Sequence, residues 1–226
     1  MDNIISRKTE DKKELKRKAI LKAAADVFSK KGYIETSIKD ITNEASISVG
    51  SFYSYFNNKE EILLQIFDEI SNMSMEAASE SSKALKDNVI EQFTTSMTSA
   101  ICIYAKNKEF AKILFVKSMG INELFENKRT EILDRTTVYL KMLLEHLNTK
   151  HLCGIDNIEI SSVLITHSIF GVITHWLDER LKCSIKDVIF SLCTYHLKAL
   201  NIDYTSKNIN KYIDTVLEAD YKELLN

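Results

Sequence analysis

The residues best placed to do chemistry lie in two stretches near the N-terminus, and the chemistry they suit is contact with phosphate. Lys12, Lys13, Lys16, Arg17, Lys18 and Lys22 form a basic run that can meet a phosphate backbone. Further along come Ser48, Val49, Gly50, Ser51, Phe52, Tyr53, Ser54, Tyr55 and Phe56, followed by Lys59. Ser48 can cap a helix and aim that helix's first backbone N–H groups at an anion. Tyr53 and Tyr55 offer hydroxyls to phosphate oxygens, Lys59 adds a charge, and Gly50 lets a helix approach its target with no side chain between them. Phe52 and Phe56 anchor the segment to a core. That leaves Val49, Ser51 and Ser54 to face base edges, Val49 against a thymine methyl group. Each stretch also has a plainer reading: a charge run is commonly a solvated face, and an isolated Tyr-Ser-Tyr-Phe commonly the edge of a core.

Other chemistries find little support. There is no Gly-rich phosphate loop, nucleophile elbow, HExxH or paired-acid pattern, and the five histidines lack an evident nucleophile or acid partner. No catalytic residue is expected, and no enzyme. His167 and His175 share a helical face with Glu179 four positions on, a spacing that admits a metal, but polar residues satisfied within the fold are the expectation, with no metal and no cofactor. Cys102, Cys153, Cys183 and Cys193 are scattered without a CxxC pair, as reduced, packed thiols would be. The N-terminus carries charge where a signal peptide needs an apolar run, and polar residues interrupt the apolar stretch 160–177, so a cytoplasmic protein with no membrane partner is expected.

The elements that must position the phosphate-seeking residues read as helices throughout, because the chain has no proline and only 5 glycines. Residues 13–31 predict a first helix on Ile20, Ala24, Val27 and Phe28, with Gly32 as a left-handed cap. Thr36 and Ser37 offer caps for a short helix from Ile38 to Ala45, and Ser48 for a third. Helices joined this tightly make a helix-turn-helix, whose second member enters the major groove. A long helix follows from Asn58, with a connection after Lys86. Further helices are predicted over 89–106, 109–119, 122–147, 158–181, 185–202 and 208–225. The net charge of -2 divides unevenly, with 12 Lys/Arg against 9 Asp/Glu in residues 1–60 and 18 against 23 in residues 61–226.

The segment from Ile20 to Ile62 closely resembles the DNA-binding region of the TetR family of bacterial regulators. The likeness lies in Ile20, Ala23, Ala24, Phe28, Gly32, Tyr33, Thr36 and Ile41, and above all in Ser48, Gly50, Phe52, Tyr53, Tyr55, Phe56 and Lys59. It implies an all-α fold: an N-terminal three-helix DNA-binding domain, residues 1–60, joined by a long helix to a larger helical ligand-binding and dimerisation domain, residues 61–226. The implied function is that of a homodimeric repressor. It binds an inverted-repeat operator in double-stranded DNA and releases it when a small hydrophobic effector enters the larger domain. The implied DNA contacts are Lys16, Thr36, Ser37, Ser48, Val49, Gly50, Ser51, Tyr53, Tyr55 and Lys59. Two departures from the family pattern keep an alternative open, a helical ligand-binding or interaction protein with weak or lost DNA binding. Ser46 stands in the turn where glycine is common, and Val49 where a longer polar or basic residue is common.

In the remainder, residues 118–132 resemble the entry to the long central helix of some family members, and residues 167–179 the penultimate helix that forms their dimer. Gly171 inside that helix is costly unless another helix packs closely there. This suggests an interface built from Val163, Phe170, Gly171, Ile189 and Leu192. The expected effector residues are Phe93, Met97, Tyr104, Phe115, Tyr139, Met142 and Trp176, apolar and adaptable enough for a hydrophobic or amphipathic ligand.

Overall fold

Every element is helical in the computed structural model, which describes residues 2–83 and 88–224 and contains no strand among them. The chain divides into residues 1–68 and residues 69–226. The first unit therefore ends eight residues beyond the expected 60. The connection expected after Lys86 lies outside the described residues.

In the first unit, α1 (Asp2–Lys31) begins well before the predicted start and ends at Gly32, whose φ of 81° lets its N–H reach the Phe28 carbonyl at 2.9 Å. Ser37 and Asp40 form a capping box that starts α2 (Ile38–Glu44). The Asp40 carboxyl is held well below the usual carboxylate range by Lys31 at 2.8 Å and by the Ser37 hydroxyl and N–H. Ser46 then takes φ 53°, as anticipated for the turn, and Ser48 caps α3 (Val49–Tyr53) by accepting the Ser51 N–H at 3.0 Å. Asn58 caps α4 (Lys59–Lys83), accepting the Glu61 N–H at 2.7 Å. Ile20, Leu21, Ala24, Phe28, Ile41, Phe52, Phe56, Ile62 and Ile66 are all sealed from solvent. Burying each of the larger of these side chains contributes roughly 1.5–3 kcal/mol. This is how a five-residue helix such as α3, too short to persist alone, holds its shape.

The second unit is organised on α5 (Val89–Lys106), which is buried on nearly every side. Three serine hydroxyls stitch it to the second half of α4: Ser74 to the Ala100 carbonyl, Ser96 to the Ala78 carbonyl, and Ser81 to Ser99. After α6 (Lys108–Lys112) the chain widens into a π-helical turn over Ile113–Lys117 where an ordinary helix was predicted, and the Ser118 N–H reaches back to the Ile113 carbonyl. There follow α7 (Glu123–Thr149), α8 (Ile158–Leu177), α9 (Ile185–Ala199), α10 (Ser206–Asp220) and a final 3-10 turn, Lys222–Leu224. Helix α7 packs on α8, while α9 and α10 pack on α5. By length and composition alone α8 is apolar enough to cross a membrane, although five of its 20 residues are serine or threonine, of which Ser162 and Thr166 are buried and bond to its own carbonyls. Cys102 and Cys193 are packed as expected, and burial pushes both thiols up. Cys183 is instead exposed.

Candidate DNA-reading face and effector cavity

On the first unit, α3 turns two kinds of side chain in opposite directions. Phe52 and Phe56 go into the core with ring centroids 5.9 Å apart, while Ser48, Val49, Gly50, Tyr53 and Ser54 lie exposed and Ser51 and Tyr55 are half-buried. The resulting face carries hydroxyls, a bare glycine backbone and one branched methyl pair. Such groups can hydrogen-bond phosphate and touch a thymine methyl without any formal charge. Positive charge comes from α1, where Lys12, Lys13, Lys16, Lys18 and Lys22 are exposed. Arg17 turns instead to the protein, reaching Gln65 at 2.6 Å and Glu14 at 3.1 Å.

Three of the expected contacts have partners within the protein. Thr36 is buried, and its hydroxyl donates to the Gly32 carbonyl at 2.7 Å, so it ties off the end of α1. Ser37 is exposed, yet its hydroxyl both donates to Asp40 at 2.7 Å and accepts from it, which makes it a cap first. The Lys59 ammonium points inward, donating to the carbonyls of Tyr33, Ile34 and Thr36. Spacing alone marked Lys59 as an available charge, because the carbonyls that occupy it come from a loop more than twenty residues away.

The second unit contains an apolar cavity of about 90 Å³ between α4, α5, α7 and α8. Met75, Phe93, Met97, Ile101, Tyr104, Tyr139, Leu143 and Phe170 line it. The hydroxyls at its wall are already committed: Ser74 and Ser96 across helices, and Thr136 to the Ile132 carbonyl. Burial pushes the Tyr104 phenol up to about 12, so it stays neutral. Phe115, in the π-helical turn, backs the wall with its ring 4.9 Å from Tyr104 and 5.0 Å from Phe170.

The comparisons bear on both units. Residues 20–66 match the sequence profile of bacterial regulatory proteins, tetR family. An uncharacterised HTH-type transcriptional regulator, YuxN of Bacillus subtilis, is 28% identical over 131 residues, 58% of this chain but 31% of its own length, so the chain spans about a third of that relative. Two solved structures share the fold. FadR of Bacillus halodurans, a fatty acid degradation regulator, superposes with a TM-score of 0.75 at 21% identity, over 83% of this chain and 97% of its own. FadR of Bacillus subtilis in complex with stearoyl-CoA gives 0.64 at 20% identity, over 88% and 97%.

Residues 20–66 are thus of the tetR family in sequence.

Within the second unit, the expected effector residues divide. Phe93, Met97, Tyr104 and Tyr139 line the cavity and Phe115 supports it. Met142 is instead exposed on α7, and the Trp176 indole N–H bonds to the Cys183 carbonyl at 3.2 Å, away from the cavity. Phe170, expected at a dimer interface, lines the cavity. Ile189 and Leu192 are sealed in the chain's own core, where α9 meets α5, and are unavailable to a second copy. Val163 and Gly171 are exposed, with Ile160, Leu164, His167 and His175 along the same side of α8. His167 and His175 were already placed on one face by their spacing; Ile160 and Leu164 are what sequence reasoning missed, in step with His167, Gly171 and His175 at intervals of three and four, a signal masked because α8 is apolar around most of its girth.

Proposed function

We propose that this regulator binds an inverted-repeat operator as a homodimer and represses transcription until a small hydrophobic effector enters the second unit. The observation that carries the reading is the reach of α4. Its first turns supply Ile62, Leu63 and Ile66 to the core around the DNA-reading face, and its second half supplies Ser74, Met75 and Ala78 to the cavity wall. A cavity of about 90 Å³ is small beside the roughly 300 Å³ or more that ligand sites commonly offer. An effector enters only by displacing the cavity's walls, and α4 is one of them. Met75 and Met97 supply the adaptable part of the lining. Displacing α4 changes the separation of the dimer's two reading helices, which must match one turn of DNA, roughly 34 Å.

The predominantly apolar lining, whose serine and threonine hydroxyls are bonded elsewhere, favours an acyl chain or similar hydrocarbon, a choice that the relative crystallised with stearoyl-CoA supports. The homodimer draws its support from α8. Only 28% of its apolar stretch is buried, and among the described residues nothing beyond its own neighbouring backbone lies within 4 Å of a Cβ built at Gly171, so the chain itself does not require that glycine. A close helix from a second copy does. The test is a binding assay on operator DNA selected by the protein from a random pool, across a range of salt, with and without long-chain acyl thioesters. Salt-sensitive, sequence-selective binding that is relieved by the thioester is expected, with Tyr53→Phe weakening binding equally on all sequences. Selection of no sequence refutes the regulator reading, and binding that thioesters leave untouched refutes the effector class.

A further inference from the structure

The loop between α1 and α2 is held from the far side of the first unit by one side chain. The Lys59 Nζ lies 3.0 Å from the Tyr33 carbonyl, 3.2 Å from that of Ile34 and 3.0 Å from that of Thr36, and 4.4 Å from the centre of the Tyr33 ring. An ammonium has three N–H donors, and here each has a carbonyl. The Tyr33 ring supplies a negative π face as well, and its phenol is raised by burial and by neighbouring Glu60, so it remains neutral and adds no competing charge. The three carbonyls belong to the connection that delivers the chain to Ser37, the cap of α2, and α2 in turn packs on α3.

We infer that Lys59 is a positioning residue: it clamps the α1–α2 connection to the first residue of α4 and so sets the helix-turn-helix against α4, instead of contacting phosphate. This deepens the DNA-binding reading and rests on it. The two roles differ in what they demand of the cation. A phosphate contact is served by either basic residue, and arginine serves it at least as well. Three carbonyls converging on one nitrogen suit the tetrahedral ammonium, whereas a guanidinium spreads its donors over three coplanar nitrogens and cannot send three from a single atom. The roles also differ in salt dependence, since each lost phosphate contact lowers the slope of log affinity against log salt by about 0.9, or about 1.8 per dimer.

The test compares wild type, Lys59→Met and Lys59→Arg at low temperature on a duplex selected by the wild type, alongside the Lys59 ammonium resonance of the free protein. The clamp predicts that both variants lose affinity by about tenfold or more at every salt concentration with an unchanged slope, and that the free protein shows a slowly exchanging Lys59 ammonium. Three results overturn it. They are a slope reduced by Lys59→Met and restored by Lys59→Arg, wild-type affinity in both variants despite lowered thermal midpoints, and a fast-exchanging ammonium. A wild type that selects no DNA overturns the DNA reading and the positioning role with it. A slowly exchanging ammonium in that same protein would show that it was the DNA reading that failed and that the clamp itself stands.

Discussion

Helices α3 and α8 both expose side chains that a lone soluble unit has no use for, but they do so in opposite ways. Helix α3 is five residues long and spends Phe52 on the core to hold out hydroxyls, a bare backbone and one valine. Helix α8 is 20 residues long and leaves Ile160 and Leu164 more than half exposed beside Gly171. The first pattern suits a polar, hydrated target whose phosphates need donors. The second suits a dry apolar partner that comes close to backbone. In the proposed function, recognition of DNA and recognition of a second copy are thus separated in the chain, each on a surface with its own chemistry.

The largest test of that separation is Phe52→Ala. It removes the anchor of α3 and should cost the first unit about 3–5 kcal/mol, enough to abolish DNA binding, while sedimentation still reports the dimer. Loss of the dimer as well would break the comparison. Leu164→Glu is the converse. A carboxylate pressed between two copies of α8 should shift the chain to monomer by a comparable margin, and a dimer that survives would exclude this face of α8 as the interface. A smaller effect concerns His196, buried on α9 with its Nε2 3.1 Å from the Ser168 hydroxyl of α8. Burial lowers its pKa to about 4, so the fold holds it neutral while the unfolded chain takes up a proton at about 6.5. Stability is therefore present above about pH 6.5 and is lost as pH falls towards 4, by up to about 1.4 kcal/mol per pH unit. Thermal midpoints at pH 7 and pH 5 should show the loss, and His196→Gln should reduce it. Smallest is Ser46→Gly, which relieves a residue at φ 53° and should raise the stability of the first unit by up to about 1 kcal/mol without changing the second. No change in denaturant midpoint would mean the turn carries no strain.

The first unit was nearly all legible in advance because its signals are local. Gly32, Ser37, Ser48 and Asn58 each act on groups three or four residues away, and each caps the helix anticipated for it. What was not legible there was the partner of Lys59, loop carbonyls more than twenty residues away; Thr36 and Ser37 bond within four residues. In the second unit the helices were placed within a few residues, but their faces were not. Helix α5 is buried around most of its girth and α8 is apolar around most of its own, so periodicity could not say which side of Ile189, Leu192, Met142 or Trp176 would meet the core.

By itself, then, the sequence determined the all-helical class, the caps and turns of the helix-turn-helix, and which side chains around α3 go into the core and which turn outward. These depend on bonds closed within a turn of chain. Tertiary structure alone decided that Phe170 belongs to the cavity, that Ile189 and Leu192 are core, and that Lys59 binds the protein itself. A helix can rotate about its axis at no local cost, and only the partners packed around it select the side that is buried.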